Sequence, residues 1–125
     1  MGVISKTYGR RAGDYDMQTF TCSFETGEQC AKRIYFPMPV TITAIKGIVV
    51  KAIAGTDAGT ITGANSTGNS TGGVLTAAAS DALAVEYTAT PTTNNTVAAG
   101  SYYQLTSAKT TAGGKVEVTV QYKRT

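Results

Sequence analysis

Histidine and tryptophan are both absent from this 125-residue chain, and charged side chains make up only 15% of it. Without histidine, the chain lacks the side chain that most often acts as a general base and as a zinc ligand. Nothing of that kind is available to activate a serine, threonine or cysteine, and the eight carboxylates are scattered along the sequence. These absences predict a protein that is not an enzyme and that holds no metal ion or other cofactor.

The charge that is present is mildly positive, a formal +3 from eleven basic and eight acidic residues. A nucleic-acid-binding protein usually shows a stronger basic stripe with interleaved aromatic residues, so we do not expect DNA or RNA as a partner. Threonine, alanine and glycine fill the places that charges usually take. Because soluble monomers keep exposed strands charged to prevent edge pairing, a sheet faced with small polar residues is suited to being covered by other protein surfaces.

No apolar run approaches the roughly twenty residues that cross a bilayer as a helix, so no membrane partner is expected. The first residues also lack the basic start, apolar middle and cleavage site of a signal peptide. Both features predict a protein that is made and used without export.

The longest apolar run spans residues 40–53 and is rich in Val, Ile and Thr, which favour a strand. Its first half alternates between apolar and polar residues, and from Ile45 onward both faces are apolar. This pattern predicts a central strand that is covered on both sides. A buried helix is the alternative, which Pro37 and Pro39 before the run and Gly47 within it make unfavourable.

A first hairpin is predicted from strands over residues 15–24 and 29–36, joined by a turn that contains Gly27. Pairing around this turn would set Cys22 opposite Cys30 across the ladder. Two reduced, buried thiols are the interpretation that we favour in a protein used without export. A disulfide, which needs a specific geometry, is the alternative.

A second hairpin is predicted from residues 102–108 and 116–123, with Leu105 opposite Val118 across a turn that contains glycine. Between the two hairpins, residues 65–73 consist of Asn, Ser, Thr and Gly and are expected to form an exposed loop or hairpin tip.

About eight short strands with turn signals between them, and no convincing helix, predict an all-β fold. We expect a single-domain, jelly-roll-like β-sandwich over residues 15–125. Residues 1–14 lack strand or helix periodicity and are predicted to form an extended N-terminal arm. A partner or a neighbouring subunit is expected to order this arm, and folding back onto its own domain is the alternative.

Two stretches of the sequence carry a resemblance to a known group of proteins. They read ITAI at residues 42–45 with VKAIAGTDAGTI at 50–61, and PTTNN at 91–95 with LTSAKTTAGGKV at 105–116. Over roughly residues 34–124 the chain resembles small β-sandwich, jelly-roll virion proteins of tailed bacteriophages, most of all capsid decoration (cement) proteins.

The resemblance implies a structural protein that decorates and stabilises the outside of the capsid, commonly as a homotrimer. The implied partner is the major capsid protein, and the implied location is the capsid surface of the virion, after synthesis in the cytoplasm of the bacterial host. A tail or head–tail component of the same fold is one alternative. A carbohydrate-binding module is another, and it would require an exposed cluster of aromatic side chains, which decoration does not predict.

Candidate contact residues follow from this interpretation. Three basic residues of the arm, Lys6, Arg10 and Arg11, are expected to contact an acidic capsid surface and fix the orientation of the protein on it. Tyr102 and Tyr122 are expected at subunit interfaces, where tyrosine is favoured.

Overall fold

The structure is a computed structural model that describes residues 15–125. The predicted arm, residues 1–14, lies outside the described residues. Within 15–125 there are nine strands and no helix: β1 (Tyr15–Ser23), β2 (Ala31–Tyr35), β3 (Val40–Lys51), β4 (Gly59–Asn65), β5 (Asn69–Ala77), β6 (Glu86–Ala89), β7 (Thr96–Val97), β8 (Tyr102–Ala108) and β9 (Lys115–Arg124).

The strands form two antiparallel sheets with the hydrophobic core between them. The first sheet has the order β1-β9-β3-β6, with the two-residue strand β7 paired to the start of β3. The second sheet has the order β2-β8-β4-β5. This arrangement confirms the predicted all-β sandwich, with nine strands in place of about eight.

The predicted central strand is confirmed as β3, which pairs with β9, β6 and β7. A register shift between Ile42 and Ala44 changes which residues face the core, and the Thr43 hydroxyl donates to the Gln121 carbonyl there. The core covers one face of its second half, and within residues 15–125 the other face is open. Ile48 on that open face is 36% exposed. Each sheet of a two-layer sandwich has one face toward the core, and nothing in residues 15–125 covers the opposite face of the first sheet.

The first predicted hairpin is wrong, because β1 pairs with β9 in one sheet and β2 pairs with β8 in the other. Phe24 is fully buried, and its backbone hydrogen-bonds to Gly113 and Gly114 at 2.9 and 2.8 Å instead of continuing a ladder toward β2. The loop after β1 therefore crosses from one sheet to the other. Its turn still uses Gly27, whose φ is +77°.

The two cysteines do not form the predicted buried pair. Both are free thiols, as favoured, but only Cys22 is buried while Cys30 is exposed. Burial raises the pKa of the Cys22 thiol to about 11, and the nearby Lys32 ammonium opposes this only partly.

The second predicted hairpin is also wrong, because β8 lies between β2 and β4 while β9 lies between β1 and β3. Leu105 and Val118 are both fully buried, but they come from opposite sheets. The inward side of β9 is confirmed, since its three valines, Val116, Val118 and Val120, are buried. Alternation therefore identified the buried side of β9 but not its neighbours.

Residues 65–73 are a loop only at their start. Asn65 accepts hydrogen bonds from the backbone N–H groups of Thr67 and Gly68, at 2.9 and 3.2 Å, and so forms a tight turn between β4 and β5. The rest of the segment belongs to β5. Ser70 there is buried and is bonded to the Tyr103 hydroxyl at 2.8 Å, which satisfies both polar groups within the core.

Candidate functional site

The predicted contact residues fall in three separate places. Lys6, Arg10 and Arg11 lie outside the described residues. Tyr122 is half-buried at one end of the core, where its ring meets that of Phe36 edge to face with centroids 4.8 Å apart. Tyr102 is half-buried on the second sheet, so the structure does not bring the two candidate interface tyrosines together.

Tyr102 is part of a cluster that the sequence analysis did not identify. The register of β2 on β8 sets Arg33 opposite Gln104 and Tyr35 opposite Tyr102, all on the outer side of the second sheet. The Arg33 guanidinium lies 3.9 Å from the centre of the Tyr102 ring, and its Nε donates to the Gln104 Oε1 at 2.8 Å. The rings of Tyr35 and Tyr102 are 5.9 Å apart and inclined at 61°. We call these four residues the arginine–tyrosine cluster.

The cluster presents a fixed positive charge. A hydrogen bond with Tyr35 raises the pKa of the Arg33 guanidinium, and Arg33 forms no ion pair with any residue in 15–125. The side chain of Tyr35 is 63% exposed. A guanidinium held over an aromatic ring keeps part of its fork available for a carboxylate, and little side-chain entropy is lost when one binds.

The two outer faces of the sandwich differ sharply in charge. On the outer face of the second sheet, Arg33 is the one charged residue in the four described strands. The other outward residues of that face include Ala31, Tyr35, Thr60, Thr62, Ala64, Asn69, Val74, Thr76, Tyr102, Gln104, Thr106 and Ala108. The outer face of the first sheet carries several charges of both signs, including Lys46, Glu86, Glu117 and Lys123.

A depression of about 240 Å³ lies on the outer face of the first sheet. Its floor includes Ile48, and Glu117 of β9 and Glu86 of β6 are the direct neighbours of Ile48 on either side. Neither carboxylate forms an ion pair with another residue in 15–125. Lys46 lines the same depression, so it holds two carboxylates and one ammonium.

A second polar site lies at one end of the sandwich, beside a depression of about 400 Å³. The buried ammonium of Lys109 contacts the Asp57 carboxylate at 2.9 Å, and the same carboxylate accepts backbone N–H groups of Thr110 and Thr111. These bonds, that from Lys109 first, lower the pKa of Asp57 to about 2. Gln29 holds the Lys109 backbone with two further hydrogen bonds, so the arrangement fixes the crossing from β8 to β9.

Among residues 15–125, no three His, Cys, Asp or Glu side chains lie close enough together to hold a metal ion. No helix in that part of the chain is long and apolar enough to span a membrane.

The arginine–tyrosine cluster depends on strand pairing that local sequence patterns do not reveal. Arg33 and Tyr35 share one side of β2, which their spacing of two residues indicates. Tyr102 and Gln104 reach them only because β8 pairs with β2, whereas the sequence analysis paired β8 with β9. The register of β2 on β8 is enough to bring the four outward side chains together.

No protein-family model and no curated protein matches this sequence. Several solved structures are similar to it. The serine protease of Aeromonas sobria, in complex with its chaperone, matches 98% of this chain at 7% identity with a TM-score of 0.52. A chain of the cyanophage Pam1 capsid matches 89% of this chain and 82% of its own length, at 18% identity and a TM-score of 0.44. A chain of the disulfide-linked pili of Bacillus endospores matches 90% of this chain and 87% of its own length, at 18% identity and a TM-score of 0.38.

The protease match corrects one prediction. Missing catalytic groups led us to predict that the chain is not an enzyme, and this conclusion is wrong, because the same fold forms part of a serine protease chain. A domain of this fold can therefore form part of an enzyme chain. This chain spans 29% of the length of that protease. At such low identity the likeness concerns the fold alone.

Proposed function

We propose that this chain is a structural protein of a bacteriophage virion, and that it decorates and stabilises the outside of the capsid as a homotrimer. The observation that carries the proposal is the outer face of the second sheet, which bears one charge in four strands. Soluble proteins rarely leave such a face to water, whereas the cores of protein interfaces are depleted in charge and enriched in Tyr and Arg. The sequence resemblance to decoration proteins supplies the kind of partner, the major capsid protein.

Decoration would stabilise a capsid through mass action. A protein that binds the assembled lattice but not its free subunits adds its binding free energy to the assembled state. At micromolar to nanomolar affinity this amounts to about 8–12 kcal/mol per site. A trimer that contacts several capsid subunits at once gains further through avidity.

The candidate contact residues have different roles in this proposal. The basic residues of the arm, Lys6, Arg10 and Arg11, contact an acidic region of the capsid. Tyr102, together with the ring of Tyr35, lies in a contact between copies of this chain. Tyr122 contributes less to such a contact, because much of its ring already lies against Phe36.

A carbohydrate-binding module fits the same face poorly. The exposed aromatic pair that it would require is present, but the two rings are inclined at 61° and do not form one stacking platform. In addition, Arg33 covers one side of the Tyr102 ring. A tail or head–tail component of the same fold would share the surface properties and differ in copy number.

The test uses capsids of the virus that encodes this chain, prepared without it. The purified chain is then added to these capsids. We expect saturation at hundreds of copies in multiples of three, with an increase in the temperature at which the shell opens. A variant without residues 1–14 should bind at least tenfold more weakly. Absence of binding, or saturation at a few copies at the tail, would overturn capsid decoration, and unchanged affinity of the shortened chain would overturn the role of the arm.

A further inference from the structure

We infer that copies of this chain bind one another front to back, with the arginine–tyrosine cluster of one copy seated in the depression that Glu86 and Glu117 flank on the next. This contact is additional to the proposed capsid attachment. It concerns the isolated protein, so it can be tested in solution without a capsid.

The donor side of the contact is an exposed, prearranged group. Arg33 and Tyr35 are both exposed, and Arg33 is fixed by the Tyr102 ring on one side and by Gln104 on the other. Around this group the outer face is uncharged, with threonine and alanine on the neighbouring strands. A single guanidinium on such a face meets no competing carboxylate within residues 15–125, so it is available to a carboxylate on another molecule.

The acceptor side has the matching shape and charge. Glu86 and Glu117 stand on the two strands that flank β3, so their backbones are about 10 Å apart with Ile48 between them. A guanidinium placed over Ile48 would have a carboxylate on each side. Lys46 opposes this charge from the next row of the sheet, and the two carboxylates outnumber it.

The chain itself provides the most suitable carboxylates. Four of its other acidic residues are already engaged: Glu25, Glu28 and Asp57 in ion pairs, and Asp81 as acceptor of the Tyr87 hydroxyl. Glu86 and Glu117 are both exposed and without such a pair in the described chain. They also adjoin exposed apolar surface, because Ile48 and Val50 are 36% and 45% exposed. The contact would therefore bury apolar side chains along with the ion pair.

The geometry makes this contact propagate. The two surfaces lie on opposite sides of the sandwich, so each copy can bind one neighbour in front and another behind. A heterologous contact of that kind extends from copy to copy unless the rotation between copies closes it into a ring. It would join one trimer to the next across a shell. With seven-residue strands β4 and β8 at its centre, the outer face of the second sheet measures roughly 19 by 23 Å, about half of the ~800 Å² typical of each partner in a stable interface. We therefore expect weak association.

The experiment is a charge exchange followed by sedimentation velocity at protein concentrations up to about 1 mM, a range suited to small interfaces. As its concentration rises, wild-type protein should form species larger than the smallest one present at low concentration. Raising the salt from about 0.05 to about 0.5 M should weaken this association several-fold. Arg33→Glu alone, or Glu86→Lys with Glu117→Lys, should each weaken it at least tenfold, because like charges then face each other. Mixing the two variants should restore it, because opposite charges meet again at every contact.

A matched control is Lys123→Glu, which makes the same charge change about 20 Å along β9 from Glu117. This variant should associate as the wild type does. Circular dichroism of every variant should show unchanged folding, since all the altered side chains are on the surface. Failure of the mixed variants to recover association, or equal weakening by Lys123→Glu, would overturn the contact. Wild-type protein that sediments as a single smallest species at every concentration would overturn the contact as well.

Discussion

The Lys109 ammonium lies 2.9 Å from the Asp57 carboxylate, although the two residues are separated by 52 positions in the chain. The Lys109 side chain is fully buried while that of Asp57 is 30% exposed. The carboxylate therefore connects a buried cation to the surface and to the backbone of Thr110 and Thr111. Without it, the ammonium would be left buried without a counter-charge.

The first prediction concerns the loss of this carboxylate. Asp57→Asn should lower the melting temperature by about 10 °C or more, because removing one partner of a buried pair leaves an uncompensated charge. Thermal unfolding followed by circular dichroism measures the shift. Lys51→Met, which removes a surface ion pair with Glu25, is the control and should change the melting temperature by only a few degrees. Equal shifts in the two variants would contradict the prediction.

The second prediction concerns pH. The folded-state pKa of Asp57, about 2, is below its ordinary value of about 3.9. The stability from this group is therefore present above about pH 4 and is lost as the pH falls toward 2. Melting temperatures measured from pH 7 to pH 2 should fall most steeply in that range. In Asp57→Asn the fall should be smaller, and parallel curves for the two proteins would show that other carboxylates are responsible.

The third prediction concerns Gly63, which lies over the fully buried Tyr103. A β-carbon at position 63 would overlap the Tyr103 hydroxyl and also approach Ile45 at 2.9 Å. Gly63→Ala should therefore destabilise the protein by about 1–3 kcal/mol, measured by urea unfolding. In a Tyr103→Phe background the cost of the same change should be smaller, because the overlapping oxygen is gone. Strictly additive effects of the two substitutions would show that the overlap is relieved by movement elsewhere.

The fourth prediction concerns the two thiols. Cys22 is buried with a pKa raised to about 11, so almost none of it is thiolate at pH 8, whereas Cys30 is exposed. With iodoacetamide, one thiol per folded chain should react quickly and the other at least tenfold more slowly. Peptide mapping by mass spectrometry should place the fast label on Cys30, and Cys30→Ser should abolish it. Rapid labelling of Cys22 in folded protein would contradict the burial.

The sequence allowed the fold class and the buried side of most strands to be predicted. The alternation in Val116, Val118 and Val120 is enough to assign their burial, because side-chain direction along a strand repeats every two residues. It does not specify which strand lies alongside. The segments around Gly27 and Gly113 have the composition of hairpin turns, yet both cross between sheets, because Phe24 binds the backbone at Gly113 and Gly114.

The arginine–tyrosine cluster could not be predicted from the sequence, because local patterns do not specify which strands are neighbours. Arg33 and Tyr102 are far apart in sequence and meet only through the pairing of β2 with β8. The general preference of tyrosine for interfaces indicated Tyr102, and no local sequence pattern indicated Arg33. Likewise, Glu86 and Glu117 become neighbours of Ile48 only because β6 and β9 flank β3. Long-range pairing, more than local propensity, determines where the charges of this molecule meet.

The antiparallel register of β1 on β9 sets Tyr15 directly across from Lys123. The two ends of the described chain therefore leave the sandwich at the same corner. A force that pulls these ends apart would peel β1 from β9 one rung at a time, as a zipper opens, and would not have to shear the whole ladder at once. Under tension between its ends, the protein should yield at low force and lose its first strand before the rest of the sandwich gives way.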